Sequence, residues 1–322
     1  MPNNQNLPVR LYTKQYSRIL GTVFNVRKAF GGAFAPIQIL DGIQQNAKAF
    51  SVKTCNTPVV IGTYNTGANV AFGTGTADSS RFGPMTEVIY ADTDVEYSYT
   101  LAIHEGLDRF TVNNDLNAAV ADRLKLQSEA QTRSMNTRHG AFISASAGKV
   151  VSLASMSDED ILALFNAMST YYTDLEVDVP VTAYVTPELF NAIVDLVLAT
   201  TAKHSGANID KNTISEFKGF TIKKEASKYF AEGDIAYFSP DGVFIPFVGI
   251  QTARTIESTD FDGVELQAAG KGGQYILDDN KAAVAKVTYT ASDEDEDEDE
   301  TPDPDEGGDD PGDGNGGEGG EE

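Results

Sequence analysis

Three histidines, His104, His139 and His204, are the candidates for general acid–base chemistry in this sequence. Glu105 follows His104, as in the zinc-binding motif His-Glu-x-x-His, but Asp108 stands where that motif requires its second histidine. None of the three histidines has a partner at a catalytic spacing. We therefore interpret His104 as a polar residue at the end of a strand, and we predict no catalytic residue and no metal site.

Nucleophilic and phosphate-binding patterns are also missing. The single cysteine, Cys55, excludes an intrachain disulfide and a cysteine-based zinc site, and its strand-like surroundings indicate an inert thiol. No Gly-x-Ser-x-Gly elbow is present. Gly73-Thr74-Gly75 and Gly270-Lys271-Gly272 are incomplete as phosphate loops, so we predict turns at both places and no bound cofactor.

The end of the chain differs sharply from the rest in charge. Residues 293–322 carry 17 acidic and no basic side chains, out of a net charge of −24. Asp293, Asp295 and Asp297 alternate like the first ligands of a calcium loop, but Glu298 occupies the position that requires glycine. Because it has no apolar side chain to bury, this tail, residues 292–322, is predicted to be disordered.

Residues 1–292 have the composition of a soluble globular protein, with 31 acids against 24 bases. With this net negative charge, residues 1–292 lack the basic surface that binding to phosphate backbones needs. This argues against a dedicated nucleic-acid binder. No apolar run approaches the roughly 18 residues of a membrane helix, and the first residues do not resemble a secretory signal. We expect the protein to be made in the cytoplasm and to stay there.

The first half of the sequence predicts an arm followed by strands. Residues 1–45 contain Gly21, Gly31, Gly32 and Pro36 and suit an extended arm better than a core. Residues 57–63, 86–90 and 95–103 are rich in β-branched and aromatic side chains and predict strands, with a loop at residues 62–83. We expect assembly to cover the apolar side chains of the arm, Leu20, Val23, Phe24, Val26 and Phe30.

A long helix is predicted next. Asn113-Asn114-Asp115 is a helix-start signal, and Leu116, Val120 and Leu124 recur at i+4. No glycine or proline interrupts the pattern until Gly140, so the helix should be about 35 to 40 Å long at about 1.5 Å per residue. The rest of its stripe is Ala119, Arg123, Gln127, Ala130 and Gln131.

The second half predicts an α+β fold with short strands. A helix over Asp158–Asp174 should be capped by Ser157, and another should begin at Pro187 after the cap Thr186. Val181–Val185 predicts a buried strand, and residues 203–212 an exposed loop. Turns are predicted at residues 232–234, 240–242, 262–263 and 270–273. The predicted buried faces are Ile161, Leu164, Phe165, Met168 and Tyr172 on the first of these helices, and Leu189, Phe190, Ile193, Val194 and Val197 on the second.

This order of segments resembles the major capsid proteins of tailed bacteriophages with the Hong Kong 97 fold. Residues 105–114 (EGLDRFTVNN), 261–267 (FDGVELQ) and 273–277 (GQYIL) are similar to stretches of capsid proteins from siphophages of Gram-positive hosts. The resemblance covers about residues 7–290. It implies an N-arm (1–45), an E-loop with strands leading to the P-domain (46–112), a P-domain spine helix (113–150, helical over 115–139), an A-domain (151–250), returning P-domain strands (251–291) and the acidic tail (292–322).

The resemblance implies a shell subunit and not an enzyme. Such a subunit forms pentamers and hexamers of an icosahedral shell that encloses double-stranded DNA without sequence-specific binding. Its implied partners are further copies of itself, a scaffolding protein, a portal protein and, as a further candidate, a decoration protein; no membrane is involved, and its place is the virion capsid. Residues 203–212 would reach the capsomer centre. The lysine–asparagine crosslink of some relatives cannot be matched to Lys53 or Asn280, so we predict a shell without crosslinks. The alternative is a subunit of an encapsulin-like compartment; a hydrolase with an unrecognised site is a third hypothesis.

Overall fold

The computed structural model describes residues 28–40, 48–68, 70–72, 80–111, 116–196, 208 and 211–290. These residues form an α+β structure with three β-sheets, as the sequence predicts. The acidic tail, His204 and the first 27 residues lie outside the described residues. The strands are β1 Gln38–Ile39, β2 Phe50–Thr54, β3 Ala91–Val95, β4 Tyr99–Asp108, β5 Lys149–Leu153, β6 Val181–Val185, β7 Glu216–Phe217, β8 Phe220–Lys224, β9 Asp234–Pro240, β10 Ile245–Glu257, β11 Gly263–Tyr275 and β12 Ala285–Tyr289, and the helices are α1 Leu116–Ser146, α2 Asp158–Asp174 and α3 Pro187–Asp195.

The larger core belongs to a six-stranded sheet with the order β5-β12-β9-β6-β8-β7. Helices α2 and α3 pack on this sheet, and Ser157 and Thr186 cap them as predicted. Strand β6 is buried along its whole length, which also confirms its prediction. The predicted buried faces are confirmed for every described member, and only Val197 lies outside the described residues. Local caps and a 3.6-residue apolar period were therefore sufficient to predict this part.

A second sheet has the order β1-β10-β11-β4. The predicted turn at residues 270–273 is wrong, because these residues lie within β11, which pairs with both β10 and β4. Close contacts explain the glycines there: a Cβ on Gly272 would lie 2.6 Å from the Tyr99 hydroxyl, and one on Gly273 would lie 2.3 Å from the Phe247 ring. These glycines make room for two aromatic rings across the strand and do not mark a turn.

The long predicted helix is present as α1, but its C-terminal end differs from the expectation. The helix passes through Gly140 and continues to Ser146. A Cβ at Gly140 would lie 1.7 Å from the carbonyl oxygen of Tyr229, so the glycine allows a close backbone approach. The buried face of α1 is largely polar, and of the predicted stripe only Leu124, Gln127 and Gln131 are buried. That face consists of Leu124, Gln127, Ser128, Gln131, Thr132, Asn136, His139, Gly140, Ile143 and Ser146.

Two of the predicted strands do not form. Residues 57–63 and 86–90 have no strand pairing, and the observed hairpin instead pairs β2 with β3. A β-branched sequence becomes a strand only when another strand satisfies its backbone, and none of the described residues does so here. The third prediction is confirmed in part, because β4 covers Tyr99–Asp108 and extends beyond residue 103.

The expectation for Phe30 is also wrong. Instead of lying exposed in an arm, its ring is fully buried among Tyr184, Phe230 and Tyr237. Leu20, Val23, Phe24 and Val26 lie outside the described residues. Sequence alone could not place Phe30, because its partners come from a part of the chain more than 150 residues away.

Candidate functional site

His104 lies in the middle of β4, not at the end of a strand as predicted. Its Nε2 is 3.0 Å from Oε2 of Glu265 on the neighbouring strand β11, and its side chain is exposed. Glu265 also accepts hydrogen bonds from Ser258 and Gln267, and together these donors lower the pKa of its carboxyl. Both carboxylate oxygens of Glu265 are therefore bonded within the sheet. They join β11 to β4 through His104 and to the β10–β11 turn through Ser258.

His139 is buried on α1, between β11 and residues 28–40. The side-chain amide of Gln274 donates to its Nδ1 at 2.7 Å, and the Phe34 ring lies 3.8 Å away between centroids. Burial, with the positive charge of Lys28, lowers the pKa of His139 to about 4. A neutral ring with its Nδ1 already occupied acts as a hydrogen-bond acceptor in the packing.

The other candidates from the sequence are dispersed. Cys55 is half-buried. Its surroundings are strand-like in sequence, but β2 ends at Thr54, so Cys55 itself lies just outside a strand. Gly270-Lys271-Gly272 lies within β11, whereas Gly73-Thr74-Gly75 and the acidic residues 293–298 lie outside the described residues. Lys53 lies on β2, 3.9 Å from Asp92, and Asn280 lies in a short 3-10 helix, Asp278–Ala283.

The described part of the chain contains no cluster of three or more His, Cys, Asp or Glu side chains that could hold a metal ion. Within the same residues, no helix is sufficiently long and apolar to span a membrane.

A cavity of about 460 Å³ lies between α1, strands β10 and β11, and residues 28–39. Its walls are mainly apolar, and the charged side chains that line it, Lys28, Arg138 and Lys271, are all cationic. Among its lining residues no carboxylate faces His139, so the cavity does not form an acid–base pair.

The most distinctive surface of the molecule is the stretch between β2 and β3, residues 55–90, which we call the excursion. Its described residues expose large apolar side chains to an extent unusual for a monomer, with Ile61 at 93% and Met85 at 96% exposure. Scattered single apolar residues need no explanation, but ten of them within one stretch between two strands do. The set is Val59, Val60, Ile61, Tyr64, Phe72, Phe82, Met85, Val88, Ile89 and Tyr90.

Contacts within the excursion are few but ordered. The Asn65 backbone amide donates to the Arg81 carbonyl at 2.9 Å, and the Arg81 guanidinium returns a bond to the Asn65 carbonyl at 3.2 Å. The rings of Tyr64 and Phe82 meet edge to face at 5.2 Å, and Arg81 lies over the Phe72 ring. The described residues of the excursion thus hold a defined structure, and their apolar side chains remain uncovered by the rest of the described chain.

The sequence did not reveal how α1 is held on the four-stranded sheet. Both carboxylate oxygens of Glu105 on β4 accept bonds of 2.6 Å from the Arg123 guanidinium, and Gln127 donates to the same group at 2.6 Å. These donors lower the pKa of Glu105, with Arg123 contributing most. The sequence signal was present, since Arg123 and Gln127 are i,i+4 neighbours in the predicted stripe, but their partner could not be identified without the pairing of helix and sheet.

No protein-family model matches the sequence, and no curated protein matches it significantly. The fold, in contrast, is similar to solved capsids. The mature capsid of bacteriophage PhiM1 matches with a TM-score of 0.62 at 10% identity, over 82% of this chain and 87% of that one. The capsid of cyanophage P-SCSP1u matches at 0.61 and 11% identity over 83% and 91%, and a virus-like particle from Pyrococcus furiosus at 0.50 and 13% identity over 86% and 99%. The chain therefore has the Hong Kong 97 type of capsid fold.

Proposed function

We propose that this protein is the major capsid protein of a tailed double-stranded DNA phage. The observation that carries the proposal is the combination of a phage-capsid fold over more than four fifths of the chain with an excursion whose apolar side chains are uncovered. A fold shared at such low identity supports architecture only, so the exposed excursion is the independent support for assembly.

Subunit association would cover the apolar side chains that the excursion exposes. Each large apolar side chain contributes about 1.5 to 3 kcal/mol when it moves from water into an interface. Specific interfaces bury on the order of 1,600 Å² in total, and the exposed residues of the excursion form a natural part of such an area. The driving force of this activity is burial between copies of the chain and not chemistry.

In this proposal the sequence segments have the roles of their counterparts in capsid proteins. The excursion and the β2–β3 hairpin lie in the E-loop segment (46–112), and α1 lies in the spine-helix segment of the P-domain (113–150). Residues 151–250 form the A-domain, and residues 251–291 form the returning P-domain strands, which include β12 of the six-stranded sheet. Residues 1–45 form the N-arm, and residues 203–212 would reach the capsomer centre. Copies form hexamers and pentamers of an icosahedral shell in the virion, assembled in the host cytoplasm.

The partners follow from the same role. A scaffolding protein, a portal protein and, in some shells, a decoration protein would bind this subunit, and the shell would enclose DNA without reading its sequence. The acidic balance of the chain supports a wall that repels the packed polymer. We propose that the tail faces outward, where like charge keeps particles apart. Protease treatment of intact particles that leaves the tail uncut would favour an inward tail instead.

A non-enzymatic role is part of the proposal, and the cavity beside His139, whose charged lining is cationic and whose histidine is neutral and already bonded, supports it. The alternative is an encapsulin-like compartment, which the likeness to the Pyrococcus furiosus particle keeps open. Purified shells that contain a cargo enzyme and form without any scaffold would favour that alternative.

The decisive experiment is analytical ultracentrifugation with negative-stain microscopy of the purified protein, alone and co-expressed with a candidate scaffold. Rings or closed shells are expected, and a compact monomer under every condition would refute the proposal. Double substitution Val59→Asp with Ile61→Asp should abolish shells while leaving the circular-dichroism spectrum unchanged, because both side chains are exposed in the monomer. Val179→Asp, half exposed outside the excursion, is the matched control and should still assemble.

A further inference from the structure

Residues 28–40 run between the two large sheets and α1, and we call them the latch segment. Only two of these residues, Gln38 and Ile39, form a strand, and that strand pairs in parallel with β10. The other hydrogen bonds of this segment go to three different parts of the molecule. The segment therefore joins these parts, and it belongs to a sheet only through its last residues.

On one side the latch segment is bound to α1 and to the six-stranded sheet. The Ala29 amide donates to Asn136 Oδ1 on α1 at 3.0 Å, and the Phe30 amide donates to Glu225 Oε1 just after β8 at 3.0 Å. The Ala33 amide donates to the Tyr184 hydroxyl of β6 at 2.8 Å. The Lys223 ammonium also donates to the Gly31 carbonyl.

On its other side the latch segment is bound to the connection between the sheets. Gly242 and Phe244, which link β9 to β10, donate their amides to the carbonyls of Gly32 and Ala33 at 2.7 and 3.0 Å. The Ala35 amide returns a bond to the Phe244 carbonyl at 2.8 Å. One short stretch thus contacts α1, the six-stranded sheet and the entry to the four-stranded sheet.

Phe30 lies at the centre of this arrangement in a strained conformation. Its φ of 57° is in the left-handed region, which a bulky non-glycine residue rarely adopts. Its ring centroid lies 5.5 Å from Tyr184, 5.6 Å from Phe230 and 5.8 Å from Tyr237, and the side chain is fully buried. Strain of this kind persists only where the surroundings over-determine it, and it favours opening once those contacts are lost.

We propose that residues 28–40 form a latch, which opens as one cooperative unit before either sheet unfolds. Opening breaks the bonds by which the latch bridges α1 and the six-stranded sheet, and the direct contact of α1 with the Tyr229 carbonyl at Gly140 remains. Local opening occurs first where hydrogen bonds are isolated and not part of a ladder. The latch has short groups of bonds and isolated bridges, whereas β11 is paired along most of its length on both sides.

The competing interpretation is that Phe30 is an ordinary core residue. If Phe30 belongs to an ordinary core, residues 28–40 open together with β6, so a destabilising change inside the sheet core speeds exchange of both. If residues 28–40 are a latch, they open while the sheet stays folded, so a change inside the sheet core leaves their exchange unaltered. The two interpretations differ in which backbone amides respond, so amide exchange separates them. The latch proposal does not depend on the proposed function, because it concerns opening within one subunit.

The test is hydrogen–deuterium exchange of the full-length protein, under conditions where rates report opening equilibria. In the unmodified protein, peptides covering residues 28–40 and 241–244 should exchange together and faster than those covering β6 and β11. Phe30→Ala should raise exchange of these peptides on the order of a hundredfold, the scale of a Phe→Ala change. Because β6 and β11 open only after the latch, their exchange should rise by no more than the same factor. Asn136→Ala should give a milder rise, about tenfold, in the same peptides.

The matched control is Phe165→Ala, since Phe165 is fully buried in the core of the six-stranded sheet. It should raise exchange of β6 and leave that of residues 28–40 unchanged. An equal rise of residues 28–40 and of β6 in the Phe165 variant would overturn the latch, as would wild-type exchange of residues 28–40 no faster than that of β6. If Phe30→Ala does not fold, the wild-type order and the Asn136 variant decide.

Discussion

Protonation of His139 should lower the stability of this protein in mild acid. Burial and the charge of Lys28 lower its pKa from 6.5 to about 4, and Gln274 donates to its Nδ1. A protonated ring would place a second donor against the Gln274 amide and a charge in a closed packing site beside Phe34. Arg138, on the same helix, adds a further positive charge along the same cavity.

The direction of the effect follows from the two pKa values. Between about pH 6.5 and 4 the unfolded chain holds a proton on this histidine and the folded chain does not, so stability falls as the pH falls through that range. Above about pH 6.5 the histidine is neutral in both the folded and the unfolded chain, so it causes no loss of stability there. The separation of 6.5 from about 4 corresponds to a loss of about 3 kcal/mol, which is a large part of the stability of a typical domain.

The assay is urea unfolding at pH 7.5, 6, 5 and 4.5, for the wild type and for His139→Asn. Asparagine keeps an acceptor close to the position of Nδ1 and cannot be protonated in this range. We expect the variant to be less stable at pH 7.5, because it loses the ring packing on Phe34. Between pH 7.5 and 4.5 the wild type should lose about 2 to 3 kcal/mol more than the variant does.

Comparing the wild type with His139→Asn cancels the effect of carboxylate titration on stability, including that of the acidic tail. Both proteins carry the same carboxylates. Parallel stability curves for wild type and variant across this pH range would refute the reasoning. They would mean that His139 is protonated in the folded state without cost, for example after the Gln274 amide turns its oxygen toward the ring.

Three further predictions concern the backbone contact at Gly140, the ion pair of Glu105 and the cap of α2. Gly140→Ala should lower stability by about 1 to 3 kcal/mol in urea titrations despite the better helix propensity of alanine, because its Cβ would meet the Tyr229 carbonyl; unchanged stability would contradict that contact. Glu105→Gln, which removes the ion pair with Arg123, should cost about 1 kcal/mol or less at low salt, and a loss that persists in 1 M salt, where the Debye length is about 3 Å, would argue against a charge effect. Ser157→Ala should cost about 1 kcal/mol through loss of the α2 cap, measured by thermal unfolding, with no change in shell formation.

Helices α2 and α3 and strand β6 could be predicted from the sequence by itself. Their caps, Ser157 and Thr186, act on backbone amides three residues away, and their apolar faces repeat every turn. Each of these signals depends only on residues that are a few positions apart in the sequence. The α+β fold class also followed from the sequence, and the likeness to solved capsids confirms this class of fold.

The tertiary structure alone decided the features that depend on distant partners. Residues 57–63 have strand-forming side chains but no neighbouring strand among the described residues, so they remain exposed and unpaired. Residues 270–273 have the composition of a turn, yet they lie in a strand because aromatic rings from β4 and β10 occupy the space above the glycines. In both cases the long-range partner outweighs the local propensity.

The functional surfaces divide in the same way. The sequence determined that conventional catalytic motifs are missing. Only the structure showed that Phe30 is buried at the junction of the two sheets while the excursion remains uncovered. Local sequence specifies secondary structure because its bonds close within a few residues, whereas burial is a property of residues that meet only after the chain has folded.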